Sequence, residues 1–266
     1  MNGEGISLQH NLFDKKYLIS EQSVFVTHFK GETEKSDWHK PKISIIIPAF
    51  NEEKSVTDVI SGTITVMEQL NLPYEIIFVD DGSTDNTGSI ASLFKVKVIA
   101  NKKNRGKGYS LKKALQHASG EVIVTIDSDG EHKPKEIRPL LEAVLNGIDV
   151  ASGSRFMNVQ AGVTTKLNQI GNYLFNLAIM ILTRRKVTDS QTGFRAIKRE
   201  TFEKLNLLSD GYEIETEITL KSLKNGFTFR EIPVTVERRK FGASKIKILK
   251  DGNRIIRTIL KTSILS

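Results

Sequence analysis

The sequence predicts an α/β fold: a doubly wound, mostly parallel central sheet with helices on both faces and an amphipathic helix at its C-terminal end. Three observations predict it. From Lys42 onward, short β-branched apolar runs alternate with helix-length amphipathic stretches, the rhythm of βαβ units. Four of those runs end abruptly in polar signatures, which gathers the signatures at the carboxyl edge of one sheet. The stretch from Lys245 carries Ile248, Leu249, Ile256, Ile259 and Leu260 at helical spacing, with Lys250, Arg254, Arg257 and Lys261 opposite.

Taken in order, residues 1–40 have weak periodicity apart from a strand-like patch at Val24–Phe29, and read as an N-terminal extension. Strands are expected at Ile43–Ile47, Glu75–Val79, Val96–Ile99, Val122–Ile126 and Asp149–Ala151, because β-branched side chains suit a pleated, covered surface. Helices are expected near Lys54–Leu70, Asn86–Phe94, Gly108–Ala118 and Lys135–Leu145, with Asp85 and Pro134 standing where helix starts favour them. After Gly153 the rhythm breaks into a long helix (Lys166–Leu182), a short GFRAIK strand, a helix near Glu213–Lys224 and a strand at Thr228–Val236. The expected organisation is an extension over 1–40, one α/β domain over 41–240 and a basic amphipathic segment over 241–266.

Composition narrows the class. The apolar and charged fractions, 39% and 26% of 266 residues, suit a soluble globular chain with length for a real core. There is no cysteine, which excludes disulfides and thiolate metal sites. The opening MNGEGISLQHNLFDKK lacks the basic-then-apolar order of a signal peptide, so a cytoplasmic chain is expected. Net charge is +8, and from Arg230 to Ser266 ten Lys/Arg face three Asp/Glu, a local +7. Such a patch suits anionic lipid or a phosphorylated ligand. Nucleic acid is disfavoured, since aromatic residues for base stacking are scarce in the basic segment. The longest uncharged run, Leu167–Thr183, holds Asn168, Gln169, Asn172 and Asn176 and falls short of the roughly 20 apolar residues of a span. A half-buried or interfacial helix is expected there.

The stretch most informative about chemistry is Glu121–Asp129, EVIVTIDSD. Its apolar run stops at two aspartates separated by one small residue. Carboxylates at i and i+2 can converge on one hard divalent cation such as Mg²⁺ or Mn²⁺, which in turn can hold a diphosphate. A polar loop that happens to contain two aspartates is the plain alternative. The neighbouring strand ends argue against it: Pro48-Ala49-Phe50-Asn51-Glu52, Asp80-Asp81-Gly82-Ser83-Thr84-Asp85 and Asn104-Arg105-Gly106-Lys107-Gly108 share the rim. Pro48 and Phe50 offer an apolar surface to a nucleobase, and Glu52 and Asp81 can accept hydrogen bonds from base or ribose. The glycines flanking Lys107 permit close backbone approach, and Lys107 can compensate phosphate charge. Neither GxGxxG nor GxxxxGK[ST] spacing is present.

PAFNE, VDDGSTDNT, NRGKG, DSDGEH, GSR, DSQTGFR and FGASK also stand in the order seen in family-two inverting glycosyltransferases of the GT-A, Rossmann-like fold. The chain resembles their dolichyl/polyprenyl-phosphate sugar synthase branch over roughly Lys42 to Arg257. The resemblance implies that Pro48, Phe50, Glu52, Val79 and Asp81 hold the nucleoside, with Lys107 and Asp127-Ser128-Asp129 completing the nucleotide-sugar site. It implies Asp127, Asp129 and Glu131 around the metal and diphosphate. Arg155 and Arg239 would face the acceptor phosphate, with Lys166, Asn168 and Lys245 beside them. Catalysis would rest on Asp127, Asp129, Arg155 and Arg239. The implied cofactor is Mg²⁺ or Mn²⁺. The implied partners are a nucleotide-diphosphate sugar (UDP-glucose, UDP-GlcNAc or GDP-mannose), polyprenyl or dolichyl phosphate, and an anionic membrane surface met peripherally from the cytoplasmic side. Glu131 departs from the family's usual glutamine, and Lys166 and Asn168 stand where the family tends to place arginine and serine.

Several residues keep two readings. An arginine after a strand, as Arg155 and Arg239 are, also suits a surface salt bridge. Glu213, Glu215 and Glu217 cannot share one helix face, so at least one is expected in solvent. His132, just after the acidic cluster, suits a neighbour of the metal, but a plain surface histidine is the expectation. The basic tail helix suits either an anionic membrane surface or packing on the domain with its charges solvated.

Overall fold

A computed structural model describes residues 40–157, 166–237 and 248–264. The expected patch at Val24–Phe29 lies outside the described residues. Seven strands form one mixed sheet in the order β3-β2-β1-β4-β6-β5-β7: β1 (Ile43–Ala49), β2 (Tyr74–Asp80), β3 (Lys97–Ala100), β4 (Val122–Thr125), β5 (Val150–Ser154), β6 (Arg195–Lys198) and β7 (Phe229–Pro233). β1, β2, β3 and β4 pair in parallel, and β7 pairs in parallel with β5. β6 runs opposite to both its neighbours, β4 and β5.

The helices are α1 (Val56–Leu70), α2 (Thr87–Ala91), α3 (Lys107–Leu115), α4 (Ile137–Leu145), α5 (Lys166–Thr183), α6 (Arg199–Lys204), α7 (Ile214–Lys224) and α8 (Ile248–Ile264). Alternation along β1 shows why both faces need cover. Ile43, Ile45, Ile47 and Ala49 enter one core layer with α1 and α4, while Ile46 enters the other with Leu111 of α3 and Ile214 and Ile218 of α7. Ser44 breaks the second face and is satisfied there, its hydroxyl donating to Glu75 at 2.7 Å and accepting from the Gly120 amide at 2.8 Å. Pro134 starts a 3-10 turn rather than α4 itself.

α5 and α8 build a third, smaller core with α7, through Ile179, Leu220, Ile255 and Ile259. The tail helix therefore does pack on the domain by one face. Its other face exposes Ile256, Leu260 and Ile264, and α5 exposes Ile170, Tyr173, Leu174 and Ile181. Exposed Lys250, Arg254, Arg257 and Lys261 accompany them on α8, and exposed Arg184, Arg185 and Lys186 follow α5. Among the described residues, no helix is long and apolar enough to cross a membrane.

Candidate active site

Strand direction decides what reaches the rim. β1, β2, β3, β4 and β5 all point the same way, so their last residues and following loops share one edge. Because β6 runs backwards, the residues before it, Asp189–Phe194, arrive at that same edge. So does the segment after β7. The rim thus collects the four expected signatures together with Arg155 and the DSQTGFR segment.

The first two signatures are laced together. Asn51, at a left-handed φ of +53°, donates its amide to Ser83 Oγ at 3.0 Å and accepts the Thr84 amide on Oδ1 at 2.8 Å. The Glu52 amide donates to Thr87 Oγ1 at 2.7 Å. The third signature hangs on Asp81, whose buried carboxylate accepts from Asn101 Nδ2 at 2.7 Å, the Arg105 amide at 2.9 Å and the Gly106 amide at 2.7 Å. Gly106 sits at φ +102°, and a Cβ there would strike the Asp210 carbonyl, so the turn into α3 needs glycine. Asp81 is thus first a clamp on the NRGKG loop; a carboxylate has about four lone-pair sites, which leaves room for one further donor.

Ser128 links the acidic pair to β1. Its hydroxyl donates to the Pro48 carbonyl at 2.9 Å, and its own carbonyl accepts from Ser55 Oγ at 2.7 Å. Both Ser128 and Pro48 are buried, and Phe50 is half-buried at the edge. The Val79 side chain is fully buried in the core with Ile46 and Leu111, because strand alternation turns it into the sheet's covered face, so only its main chain is open to a nucleoside.

The acidic pair itself is electrostatically engaged. Lys107 Nζ lies 2.5 Å from Asp127 Oδ1 and 2.8 Å from Glu215 Oε1. Burial opposes the charge on Lys107, but Asp127 and Glu215 outweigh it and raise its pKa above the ordinary lysine value. Burial likewise pushes the Asp127 carboxyl up, while the ammonium beside it more than compensates and holds it low. Glu215 also pairs at 3.3 Å with Arg195, which is completely buried and donates to Ser152, Thr219 and main-chain carbonyls. Gly193 makes the arrangement possible: a Cβ there would overlap Lys107 Nζ and come within 2.6 Å of Asp127 Oδ2.

Among the described residues, no three His, Cys, Asp or Glu side chains are gathered to hold a metal ion. The expected set of Asp127, Asp129 and Glu131 is therefore not a ready-made cage. Lys107 holds the first carboxylate, and Asp129 Oδ1 accepts the Glu131 amide at 3.0 Å. The donor set still fits a hard divalent cation, since Mg²⁺ is commonly bound by one or two carboxylates plus substrate phosphates. Asp129 and Glu131 supply such oxygens at a half-buried edge.

Arg155, directly after β5, is gripped by the buried Asp189: Nε donates to Oδ2 at 2.6 Å, Nη2 to Oδ1 at 2.9 Å, and the Arg155 amide to Oδ2 at 3.1 Å. This bidentate pairing fixes the guanidinium plane. Burial disfavours its charge, but Asp189 dominates and raises the arginine's pKa further. Asp189 is seated in turn by Glu231 of β7, which accepts the amides of Thr188 and Asp189 at 2.8 Å each. His132 is buried rather than at the surface, because Phe194 stacks on it at 4.9 Å and a β-bridge joins its backbone to Val236. Its Nδ1 has no hydrogen-bond partner, and burial, helped by Arg155 against the pull of Asp127 and Asp129, lowers its pKa to about 4.

The loop after the acidic pair is moored to the segment after β7. The Glu237 amide donates to the Glu131 carbonyl at 2.9 Å, Lys133 pairs with Glu237 at 2.9 Å, and Glu136 accepts the Thr235 amide and hydroxyl at 2.9 and 2.6 Å.

Residues 44–206 match the glycosyl transferase family 2 model. The chain belongs to glycosyl transferase family 2. Among relatives of this glycosyltransferase, the dolichol-phosphate mannosyltransferase of Pyrococcus furiosus is 34% identical over 77% of the chain, which spans 59% of that protein. The polyprenol monophosphomannose synthase of Mycolicibacterium smegmatis is 29% identical over 76% of the chain and 80% of its own length. Among solved structures, glucosyl-3-phosphoglycerate synthase from Mycobacterium tuberculosis, crystallised with Mn²⁺ and UDP-glucose, superposes with a TM-score of 0.70 at 22% identity. It covers 85% of this chain and 80% of its own, and the shared architecture is the GT-A fold.

In this family-two enzyme the structure brings Phe50, Glu52, Asp81, Lys107, Asp127, Ser128, Asp129, Glu131 and Arg155 to one rim. Arg239 and Lys245 lie outside the described residues, as do the side chains of Lys166 and Asn168 at the start of α5. Glu213, Glu215 and Glu217 are all buried, against the expectation that one is solvated. Glu217 accepts the amides of Leu208 and Ser209 and pairs with Lys221. Sequence reasoning assigned no role to Asp189, Arg195 or Gly193. The DSQTGFR motif contains all three, but only the reversed strand β6 reveals that it reaches the rim.

Proposed function

We propose that this chain transfers a single hexose from a nucleotide-diphosphate sugar to a polyprenyl (dolichyl) phosphate, with inversion and with the help of a divalent cation. The observation that carries the reading is the common rim, where an acidic pair and an arginine held bidentately by Asp189 face one another's loops. The relatives that act on polyprenols and the neighbour crystallised with Mn²⁺ and UDP-glucose support it. The donor is proposed to be UDP-glucose, UDP-GlcNAc or GDP-mannose, with a UDP-sugar preferred on our reading of GYEIETEI and the FGASK…DGNR tail.

A phosphate monoester is already anionic near neutral pH, with a second pKa of about 6, so it needs no protein base. An oxygen of the acceptor phosphate forms the new bond to the anomeric carbon as the anomeric bond to the nucleoside diphosphate breaks, and no proton moves. A divalent cation supplies charge neutralisation at the departing diphosphate. Asp129 and Glu131, with Asp127 once Lys107 yields it, would hold it. The chain's own part is positioning and electrostatics. Asp81 fixes the NRGKG loop, Asp127 and Lys107 set opposite charges beside the donor, and Arg155 presents an oriented cation for the acceptor phosphate. Arg239 and Lys245 would add charge on that side. α8 and α5 together present exposed apolar side chains beside basic ones, which suits peripheral contact with the anionic, cytoplasmic membrane surface.

Purified protein is to be incubated with radiolabelled UDP- and GDP-sugars, polyprenyl phosphate and Mn²⁺. The expected product partitions into organic solvent and is labile to mild acid. A label that stays aqueous, on a glycan or protein hydroxyl, overturns the phosphate acceptor. Wild-type transfer by Asp129→Asn at saturating cation overturns the metal assignment.

A further inference from the structure

Asp127 meets a cation before any metal ion does. The Lys107 ammonium stands 2.5 Å from Asp127 Oδ1 and 2.8 Å from Glu215 Oε1, with its side chain only 10% exposed. Behind it, Arg195 pairs with the other oxygen of Glu215 at 3.3 Å. Charges thus alternate along Asp127, Lys107, Glu215 and Arg195, and Gly193 closes over the first pair with no room for a Cβ. This is a built, two-sided seat for one ammonium, not a surface lysine resting on a carboxylate. The seat has a cost for metal binding. An ammonium and a divalent ion sharing one half-buried carboxylate repel each other strongly, because water screens them poorly there. No three-ligand group compensates among the described residues.

We infer that Lys107 is a positioning residue that keeps a divalent cation off Asp127 in the free enzyme and yields the carboxylate when the nucleotide diphosphate arrives, so that ion and donor bind cooperatively. The inference rests on the ion-assisted donor site proposed above. The incoming diphosphate gives the ammonium a second anionic partner besides Glu215, and gives the ion oxygen ligands beyond those of the described residues. Ion and nucleotide then strengthen each other by one common factor, as linkage requires.

The test measures Mn²⁺ binding by the EPR signal of the free ion, with and without UDP or GDP, whichever the wild type binds. Wild type is expected to bind Mn²⁺ weakly alone and at least about ten-fold more tightly with nucleotide. Lys107→Met is expected to bind Mn²⁺ alone about ten-fold more tightly than wild type, with a smaller nucleotide enhancement. Removing one member of a buried ion pair can unfold a protein. Lys107→Met/Glu215→Gln, which removes the opposing charge as well, is therefore measured beside it and is expected to shift the same way. If folded variants bind Mn²⁺ alone no better than wild type, while wild type still binds it with nucleotide, the role of Lys107 is overturned and the donor site stands. If wild type binds no Mn²⁺ even with nucleotide, the donor-site reading falls and this inference with it.

Discussion

Replacing Gly193 by alanine tests how tightly the rim is built. The new Cβ would stand 2.6 Å from Asp127 Oδ2 and in direct overlap with Lys107 Nζ, where ordinary contact begins near 3.4 Å. The main chain cannot retreat easily. The Gly193 carbonyl accepts Thr125 Oγ1 at 2.7 Å, and the next carbonyl, Phe194, accepts the Gly153 amide at 2.8 Å. The side chains must therefore give, and Asp127 moves by about 1 Å. A displacement of that size at a reacting centre costs about 100-fold in rate, or about 2.7 kcal/mol of transition-state stabilisation. Overpacking should also lower folding stability by about 1–3 kcal/mol. Gly171→Ala in α5 is the matched control. Nothing lies within 4 Å of a Cβ there, so relief of glycine's chain entropy should raise stability by about 0.5–1 kcal/mol with transfer unchanged. Initial-rate transfer assays and urea unfolding read both quantities. A Gly193→Ala enzyme within about two-fold of wild-type kcat/KM would refute the claim that this contact sets the acidic pair.

Three further outcomes are expected. Asp81→Asn leaves the Arg105 and Gly106 amides without their anionic acceptor, so hydrogen exchange at those amides should accelerate and the donor KM should rise several-fold; unchanged exchange would remove the clamp. His132, with a folded-state pKa of about 4 against about 6.5 unfolded, lends stability that is complete above pH 6.5 and is lost as pH falls towards 4, on the order of 3 kcal/mol. Urea midpoints of wild type should fall through that window while those of His132→Gln do not, and parallel curves would contradict the assignment. Ile181→Asp with Ile256→Asp, at side chains 70% and 51% exposed, should leave folding intact and weaken sedimentation with anionic vesicles at least about ten-fold; equal sedimentation would mean the two helices do not meet lipid by this face.

Most of the sheet was legible because β-branched runs such as Ile43–Ile47 and Val122–Ile126 state their burial directly. The direction of β6 was not, since four residues of Arg-Ala-Ile-Lys look alike in either orientation. α6, at six residues, is too short for periodicity to mark. The rim residues were found as types rather than as partners. Asp81 and Ser128 read as ligand contacts, yet their groups are first committed to the NRGKG amides and the Pro48 carbonyl. Lys107 was legible as a compensating cation, but which anions it compensates depends on Glu215, more than a hundred positions away. His132 looked solvated because histidine in a polar loop usually is. Only the ring of Phe194, brought back by the reversed strand, covers it.

The mooring between Glu131–Glu136 and Thr235–Glu237 gives the chain a seam that an engineer can cut along. Beyond the tether in sequence, positions 238–247 carry Arg239 and Lys245, the residues proposed above to face the acceptor phosphate. The described knots on the near side involve Thr235, Val236 and Glu237. On the proposed acceptor role, exchanging that decapeptide for its counterpart in another member should retune acceptor preference while the fastenings at Thr235, Val236 and Glu237 keep their residues.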